Sequence, residues 1–248
     1  MSERTATNRA AQKVLITGGT DGLGRRLALA YARDGADVMI TGRRTDLSRD
    51  PELASSVRYV LCDQSDPEGA VAAIADGLEL AEWEHCDIAI LNAGSGWVGD
   101  ALEQRNRVVR DTVNVNMVAP LLIARTLSTH ILASGTGTLA LIGSTARKGA
   151  PNFAAYAAAK AGLNGFARSL KEEWRGKANV LMLNPGPIAT DMHAKAGLQV
   201  GAIGLMFLHP EFVARAVRYA VRKGRAEQTI GHGLRFVDLI SFGWIWRK

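Results

Sequence analysis

The chain has 248 residues, a length that suits one large α/β domain better than two separate ones. It is 47% hydrophobic with seven prolines, a composition that favours a sizeable core over disorder. The formal net charge is +6, but the basic residues are spread along the chain without interleaved aromatic residues, so we expect attraction for a polyanionic ligand and no nucleic-acid binding.

Cysteine and histidine usage argues against a disulfide framework and against a metal site. The spacing of Cys62 and Cys86 matches neither, which predicts two reduced core thiols in a reducing compartment. The five histidines are scattered, with no HxxxH pair. Residues 1–12 are polar and lack the apolar region of a signal peptide, and no apolar run approaches the roughly 20 residues that span a bilayer. We therefore expect a cytoplasmic protein with a flexible N-terminus over residues 1–12.

Short apolar runs alternate with helical patterns along the chain. Strands are predicted at Val14–Ile16, Val38–Ile40, Val57–Cys62, Ile88–Leu91, Leu139–Ile142 and Val180–Leu183. Helices are predicted at Leu23–Asp34, Glu68–Ala81, Leu102–Ala133 (broken or bent near Pro120) and Ala155–Trp174. Such runs suit strands that are buried on both faces of a parallel sheet. The alternation predicts the α/β class, with a doubly wound, Rossmann-like parallel sheet in a single domain over residues 13–238.

The first predicted strand runs into a glycine-rich turn with the spacing GxxxGxG, at Gly18, Gly22 and Gly24. Glycine allows the positive φ of a tight turn, and its missing side chain lets the backbone approach a pyrophosphate. The helix that follows directs its N-terminal N–H groups and the positive end of its dipole at those phosphates. Taken alone, a turn of this kind is often only a turn.

Tyr156 and Lys160 are four residues apart on a predicted helix, so they lie on one face. A phenol with a pKa of ~10 is a poor base at neutral pH. An adjacent ammonium stabilises the phenolate, and lowering the pKa by ~3 units requires roughly 4 kcal/mol of preferential stabilisation. We therefore expect Lys160 to lower the pKa of Tyr156 toward the value that suits a general acid/base. The alternative is a buried tyrosine beside a surface lysine.

Taken together, these motifs resemble the short-chain dehydrogenase/reductase family. The resemblance rests on TGxxxGxG from Thr17, on Asn92-Ala93-Gly94 after the fourth strand, and on Tyr156-x-x-x-Lys160. Further matches stand at Asp63, Asn116, Ser144 and Pro185-Gly186-Pro187-Ile188-Ala189-Thr190. It covers about Val14 to Asp238 and favours the reductase-type members. It implies an oxidoreductase that transfers a hydride between a nicotinamide dinucleotide and a small carbonyl or secondary alcohol.

The resemblance also implies roles for four catalytic residues. Tyr156 donates a proton to the carbonyl oxygen, and Lys160 additionally binds the nicotinamide ribose. Ser144 holds the substrate oxygen, and Asn116 supports a water-linked proton path. Asn114 competes for that last role, but the asparagine of the family is followed three residues later by a small residue, here Ala119. Ser144 could instead cap a strand end, and Asn116 could simply bend its helix.

The resemblance also assigns a set of residues to the cofactor. They are Gly18, Thr20, Gly22, Leu23, Gly24, Arg43, Arg44, Asp63, Asn92, Ala93, Gly94, Lys160, Pro185, Ile188 and Thr190. A carboxylate at the end of the second strand would favour NAD, but Gly42 stands there and Arg43 follows. An arginine fork pairs with phosphate oxygens, with Thr20 as a possible helper, so we predict NADP(H). Two arginines on a solvated loop are the alternative.

Two features within the fold depart from the pattern or leave it open. Ser144 lies 12 residues before Tyr156, one fewer than is most common in the family, which puts the loop Thr145–Asn152 in doubt. The segment Met192–His209, a lid in the family, is apolar with one fixed charge. A lid of this kind predicts a substrate with hydrophobic bulk, although a helix that packs on itself or on a partner subunit is equally consistent.

The end of the chain is apolar and aromatic. The last predicted strand runs from Thr229 to Asp238, and a tail over residues 239–248 follows. We expect this tail to pack on its own domain or on a partner subunit of a homodimer or homotetramer, with peripheral membrane contact as the alternative.

A second function is consistent with the same fold, namely a regulatory protein that binds a dinucleotide without turnover. Loss of Tyr156, Lys160 or Ser144 would favour it, and all three are present.

Overall fold

The computed structural model describes residues 11–189 and 207–231. The predictions made for residues 1–10, for Thr190, for most of the segment 192–209 and for residues 232–248 lie outside these ranges.

Within the described residues, seven parallel strands form one sheet. They are β1 Lys13–Ile16, β2 Asp37–Gly42, β3 Arg58–Leu61, β4 Ile88–Leu91, β5 Thr138–Ile142, β6 Asn179–Pro185 and β7 Glu227–Ile230. The spatial order is β3-β2-β1-β4-β5-β6-β7, with Val14 of β1 paired to Val38 of β2 on one side and to Ile88 of β4 on the other. The strand order reverses at β1 and β4, and the carboxyl ends beside such a reversal form the crevice in which ligands bind.

Seven α-helices connect the described strands. They are α1 Gly22–Arg33, α2 Pro51–Ser56, α3 Pro67–Leu80, α4 Asn106–Val113, α5 Ala119–Ala133, α6 Ala154–Glu173 and α7 Pro210–Lys223. A π-helical turn, Asn114–Val118, joins α4 to α5, and a 3₁₀ turn, Thr145–Lys148, precedes α6. Aspartates begin three of the helices, since Asp21, Asp50 and Asp66 each accept a hydrogen bond from a backbone N–H of the first turn.

Both faces of the sheet are buried, because successive side chains of a strand point to opposite sides. On one face, Val14 and Ile16 pack with residues of α1 and α7. On the other, Leu15 packs with residues of α3, α5 and α6. Cys62 and Cys86 are both free and buried, as predicted, and burial raises the pKa of the Cys86 thiol to about 12.

The predicted fold class is confirmed, and most element bounds agree within one or two residues. Neither α2 nor α7 was predicted. Strand β7 covers Glu227–Ile230, so it begins two residues before the predicted start at Thr229. Gly231, which the prediction included in the strand, lies just after its end.

The long helical pattern before β5 contains an irregular turn, as the bend near Pro120 predicted. The disturbance lies over Asn114–Val118, where the Ala119 N–H bonds to the Asn114 carbonyl five residues back. Pro120 lacks an N–H and its ring crowds the carbonyl four residues earlier, which favours a wider turn. By length and composition alone Asn106–Ala133 would also pass as a membrane span, contrary to the sequence prediction. Here Ile123 and Leu127 of this segment are fully buried in the core.

Candidate active site

The glycine-rich turn lies at the carboxyl end of β1 and closes tightly on itself. Gly18 has φ 64°, and a Cβ there would lie 2.9 Å from the Cα of Ala93. A Cβ on Gly24 would lie 2.1 Å from the Gly18 carbonyl oxygen, so no other residue fits at that position. Gly22 begins α1, whose N-terminus therefore faces the crevice. The spacing GxxxGxG thus has a steric cause, and this glycine cradle leads directly into the N-terminus of α1, a position suited to binding phosphate.

Asn92 and Ala93, at the end of β4, hold this turn in place. Both backbone N–H groups donate to the Thr17 hydroxyl at 3.0 Å, and the Asn92 amide donates to the carbonyls of Thr17 and Gly18 at 3.0 and 3.2 Å. The side chain of Asn92 is therefore used to shape the glycine turn.

The end of β2 has no room for an acidic side chain. A Cβ on Gly42 would lie 2.4 Å from Cγ2 of Thr20, whose side chain is buried there. Arg43 and Arg44 follow and are both exposed. The Arg44 carbonyl accepts from the Tyr59 hydroxyl at 2.5 Å, which ties the backbone of this loop to β3.

The remaining residues predicted to bind the cofactor surround the same edge of the sheet. Asp63 is exposed after β3, and its carboxylate accepts from the Ser65 N–H at 3.0 Å. The side chain of Leu23 lies in the core, which leaves its backbone for ligand binding. Pro185 ends β6 and Ile188 bridges to Leu208, while Thr190 lies outside the described residues.

Tyr156, Lys160 and Ser144 come together at the carboxyl ends of β4 and β5. Ser144 lies within hydrogen-bonding reach of the Tyr156 phenol, so the spacing of 12 residues does not separate them. Lys160 is 3% exposed, and its ammonium donates to the Ile142 carbonyl at 2.8 Å. The Lys160 nitrogen lies 5.7 Å from the centre of the Tyr156 ring.

The predicted effect of Lys160 on Tyr156 is wrong for this arrangement. Burial raises the pKa of the Tyr156 phenol, and the hydrogen bond with Ser144 only partly opposes this. Lys160 does not lower it because the ammonium is directed to the Ile142 carbonyl and lies over the ring instead of at the hydroxyl. Burial also lowers the pKa of Lys160 to about 8, because the charged form has lost its water.

Asn116 and Asn114 face different parts of the site. The Asn114 amide donates to the Ser65 carbonyl at 2.9 Å, toward the loop after β3. Asn116 is fully buried and donates to the carbonyls of Ser95 and Thr112 at 2.7 and 2.8 Å. Its Oδ1 has no hydrogen-bond partner among the described residues and lies 3.2 Å from the position that a Cβ on Gly94 would take. Asn116 is therefore the one that faces the catalytic centre.

Sequence reasoning missed two buried amides beneath this centre, Asn164 of α6 and Asn184 of β6. Both had a detectable signal. Asn184 continues the otherwise apolar run of β6, and Asn164 stands four residues after Lys160 on the same helix face.

The comparisons with known proteins agree with this geometry. Residues 12–200 match the family model described as short chain dehydrogenase. The uncharacterized oxidoreductase YciK of Escherichia coli strain K12 is 31% identical over 198 residues, 74% of this chain and 76% of that protein.

Solved structures of similar proteins have the same fold. A metagenomic short-chain oxidoreductase in complex with NADP is 28% identical, with a TM-score of 0.72 over 90% of this chain and 98% of that one. The NADPH-dependent 3-quinuclidinone reductase of Rhodotorula rubra is 25% identical, with a TM-score of 0.75 over 89% and 90% of the two chains.

This chain belongs to the short-chain dehydrogenase/reductase family and is an oxidoreductase of that family. The two neighbours described with NADP or as NADPH-dependent support a nicotinamide dinucleotide as its cofactor.

Proposed function

We propose that this protein is an NADP(H)-dependent reductase of carbonyl compounds, which also catalyses the reverse oxidation of secondary alcohols. The observation that carries the proposal is the grouping of three side chains. Ser144 lies within hydrogen-bonding reach of the Tyr156 phenol, and the buried Lys160 ammonium lies 5.7 Å from the centre of its ring. The three side chains border the crevice that also contains the glycine cradle, so a carbonyl held by Ser144 lies within reach of a bound nicotinamide.

Tyr156 holds the proton that the reduction requires. At neutral pH the phenol is protonated, so it can give its proton to the carbonyl oxygen that Ser144 holds. The nicotinamide, when bound, supplies the hydride. Lys160, with a pKa of about 8, is mostly charged at pH 7, and we expect its ammonium to bind the nicotinamide ribose of the bound cofactor.

Asn116 supports the return of a proton to Tyr156. Its unpaired Oδ1 faces Gly94, and the Lys160 ammonium lies 4.0 Å from the same Cβ position on Gly94. A buried carbonyl oxygen without a donor is a suitable acceptor for a bridging water. In this proposal such a water connects Asn116 with Lys160.

The choice of NADP(H) over NAD(H) is supported at the end of β2. Thr20 fills the space that a carboxylate at Gly42 would need, and the exposed Arg43 follows at the same edge. Two structural neighbours of at least 25% identity are described with NADP or as NADPH-dependent.

A substrate with some hydrophobic bulk is supported by the aromatic side chains near Tyr156. The ring of Phe153 lies 6.2 Å from that of Tyr156 at an angle of 60°. Trp97 follows β4 and packs against Gly99, whose N–H donates to the Asn152 carbonyl at 3.1 Å. This bond joins the loop after β4 to the loop before α6.

Assembly as a homodimer or homotetramer stays a prediction.

The test is NADPH consumption, followed at 340 nm, against a panel of aliphatic and aromatic ketones and aldehydes. We expect turnover by the wild-type protein that rises with the apolar size of the carbonyl compound. The regulatory alternative predicts a different result, namely NADPH binding by fluorescence titration with no consumption for any member of the panel.

A further inference from the structure

Two buried asparagines form a reciprocal amide pair beneath the catalytic centre. The Asn184 amide nitrogen donates to Oδ1 of Asn164 at 3.1 Å, and the Asn164 amide nitrogen donates to Oδ1 of Asn184 at 3.2 Å. Asn184 is fully buried and Asn164 is 4% exposed. Each amide uses its remaining capacity on a backbone group of a catalytic residue. Asn184 Oδ1 accepts from the Ser144 N–H at 3.2 Å, and Asn164 donates to the Lys160 carbonyl at 2.8 Å.

The backbone groups fix the orientation of both amides. A backbone N–H can only donate, so Ser144 requires the oxygen of Asn184 to face it. A carbonyl can only accept, so Lys160 requires the nitrogen of Asn164. Rotating either amide by 180° would place donor against donor, or acceptor against acceptor, at its backbone contact. The same mismatch would arise between the two amides. The pair therefore has a single arrangement.

This arrangement extends the hydrogen-bonding between β5 and β6 past the end of the sheet. Lys160 holds the Ile142 carbonyl at 2.8 Å, and the Gly143 N–H donates to the Leu183 carbonyl at 2.7 Å. The next N–H, that of Ser144, would leave the ladder, but the side chain of Asn184 accepts it. The backbone of Ile142, Gly143 and Ser144 is thus fixed by one direct hydrogen bond at each residue.

Gly143 leaves the space that the amide pair needs beside β5. A Cβ at this position would lie 2.1 Å from Oδ1 of Asn184, so a side chain here would displace the amide. The close approach of Asn184 to the backbone of β5 and the glycine at 143 require each other.

We propose that Asn184 and Asn164 are positioning residues, which lock the Ser144 backbone of β5 to the Lys160 turn of α6 and so set the hydrogen bond between Ser144 and Tyr156. Neither amide contacts the phenol hydroxyl, and each acts through the backbone of a neighbour. The claim about turnover rests on the proposed function, whereas the claim about geometry does not.

The experiment compares four variants of the full chain, with two more as references for the tyrosine signal. Asn184→Leu and Asn164→Leu each remove one amide at similar volume, and the double variant removes both. Ile131→Ala is the matched control, because Ile131 is fully buried but lies against Gly137, at the opposite end of β5 from Ser144. It weakens the fold without touching the centre.

The first readout needs no substrate. Tyrosine labelled with ¹³C at Cζ gives four resonances, and Tyr156→Phe assigns the one from Tyr156. Ser144→Ala shows where that resonance moves when the hydrogen bond is lost. We expect Asn184→Leu to move it to the same place, Asn164→Leu to move it part of the way, and Ile131→Ala to leave it at the wild-type position. If the Tyr156 resonance of Asn184→Leu stays at the wild-type position, the proposal is overturned, whether or not the protein reduces any carbonyl.

The second readout separates positioning from stability. Each single variant orphans an amide group of its partner, so the loss in urea midpoint should be smaller in the double variant than the sum of the two single losses. The turnover number with a carbonyl substrate should fall about tenfold to hundredfold in Asn184→Leu and stay low in the double variant, while KM for NADPH changes less than about twofold. Turnover that recovers in step with stability would mean that the pair only supports the fold. If the wild-type protein shows no turnover, the proposed function fails and the resonance alone decides.

Discussion

Replacing Arg43 with alanine tests how the protein selects its cofactor. NADP and NAD differ by one phosphate on the adenosine ribose, so discrimination depends on groups beside the end of β2. Thr20 occupies the space next to Gly42, which leaves no acid to repel that phosphate, and the exposed Arg43 is the next residue. Arg44 is less suited, because its charge is partly offset by Asp50, a carboxyl whose pKa is lowered mainly by Arg25 and in small part by Arg44.

The size of the effect follows from the exposure of Arg43. A hydrogen bond between charged groups contributes about 1.5–3 kcal/mol when well formed. An exposed guanidinium is screened by water and salt, so the lower half of this range applies. At ~1.4 kcal/mol per tenfold change, the variant should bind NADPH about tenfold to thirtyfold more weakly and NADH almost unchanged.

The assay is a set of dissociation constants for NADPH and NADH, from nicotinamide fluorescence at two salt concentrations. Arg49→Ala is the control, because this exposed arginine follows on the same loop and its removal changes the net charge equally. We expect the NADPH preference to shrink in Arg43→Ala and at high salt, and to persist in Arg49→Ala. Equal losses for both cofactors in Arg43→Ala would refute the reasoning, and tighter NADH binding by the wild-type protein would end the NADP(H) assignment.

Three further predictions concern the centre and the cradle. Tyr156→Phe should keep NADPH affinity within about twofold but lower the turnover number by at least about a hundredfold, since it removes the transferred proton; near-normal turnover would contradict this. Lys160→Met should stabilise the fold by about 1–2 kcal/mol at pH 7, because it removes a buried ammonium at the loss of one hydrogen bond. The depressed pKa of Lys160 means that its penalty is complete below pH 8 and fades between pH 8 and its ordinary value of 10.5, so urea unfolding should show wild type and variant converging there; a constant difference would count against it. Gly24→Ala should abolish cofactor binding in the same titration, because its Cβ would meet the Gly18 carbonyl, and unchanged affinity would show that the turn can open.

The fold was predictable because its determinants are local. Apolar runs bounded by turn residues fixed the strands, and glycine spacing identified the turn after β1. Helix α7 was missed although Pro210 begins it and Gly224 ends it with φ 61°. Its buried residues Val213, Ala214, Val217, Ala220 and Val221 recur at helical spacing, so this helix was predictable from the sequence as well.

The candidate site was predictable as a set of residues and less so as electrostatics. The i and i+4 spacing placed Tyr156 beside Lys160, and the hydrogen bond of Tyr156 with Ser144 agrees with that grouping. The direction in which the pKa of Tyr156 is shifted was not predictable from the sequence. It depends on how deeply the phenol is buried and on the Ile142 carbonyl, to which the Lys160 ammonium donates. The pairing of Asn164 with Asn184 likewise depends on the tertiary register of α6 against β6, which no local pattern encodes.

The most direct test of the central claim follows the hydride itself. The protein is supplied with NADPH that carries deuterium at C4 of the nicotinamide and with a ketone that it consumes, and the alcohol is analysed by mass spectrometry. We predict one deuterium on the carbinol carbon with the wild-type protein and almost none with Tyr156→Phe over the same time. NADPH oxidation that leaves no deuterium in the alcohol would contradict the account.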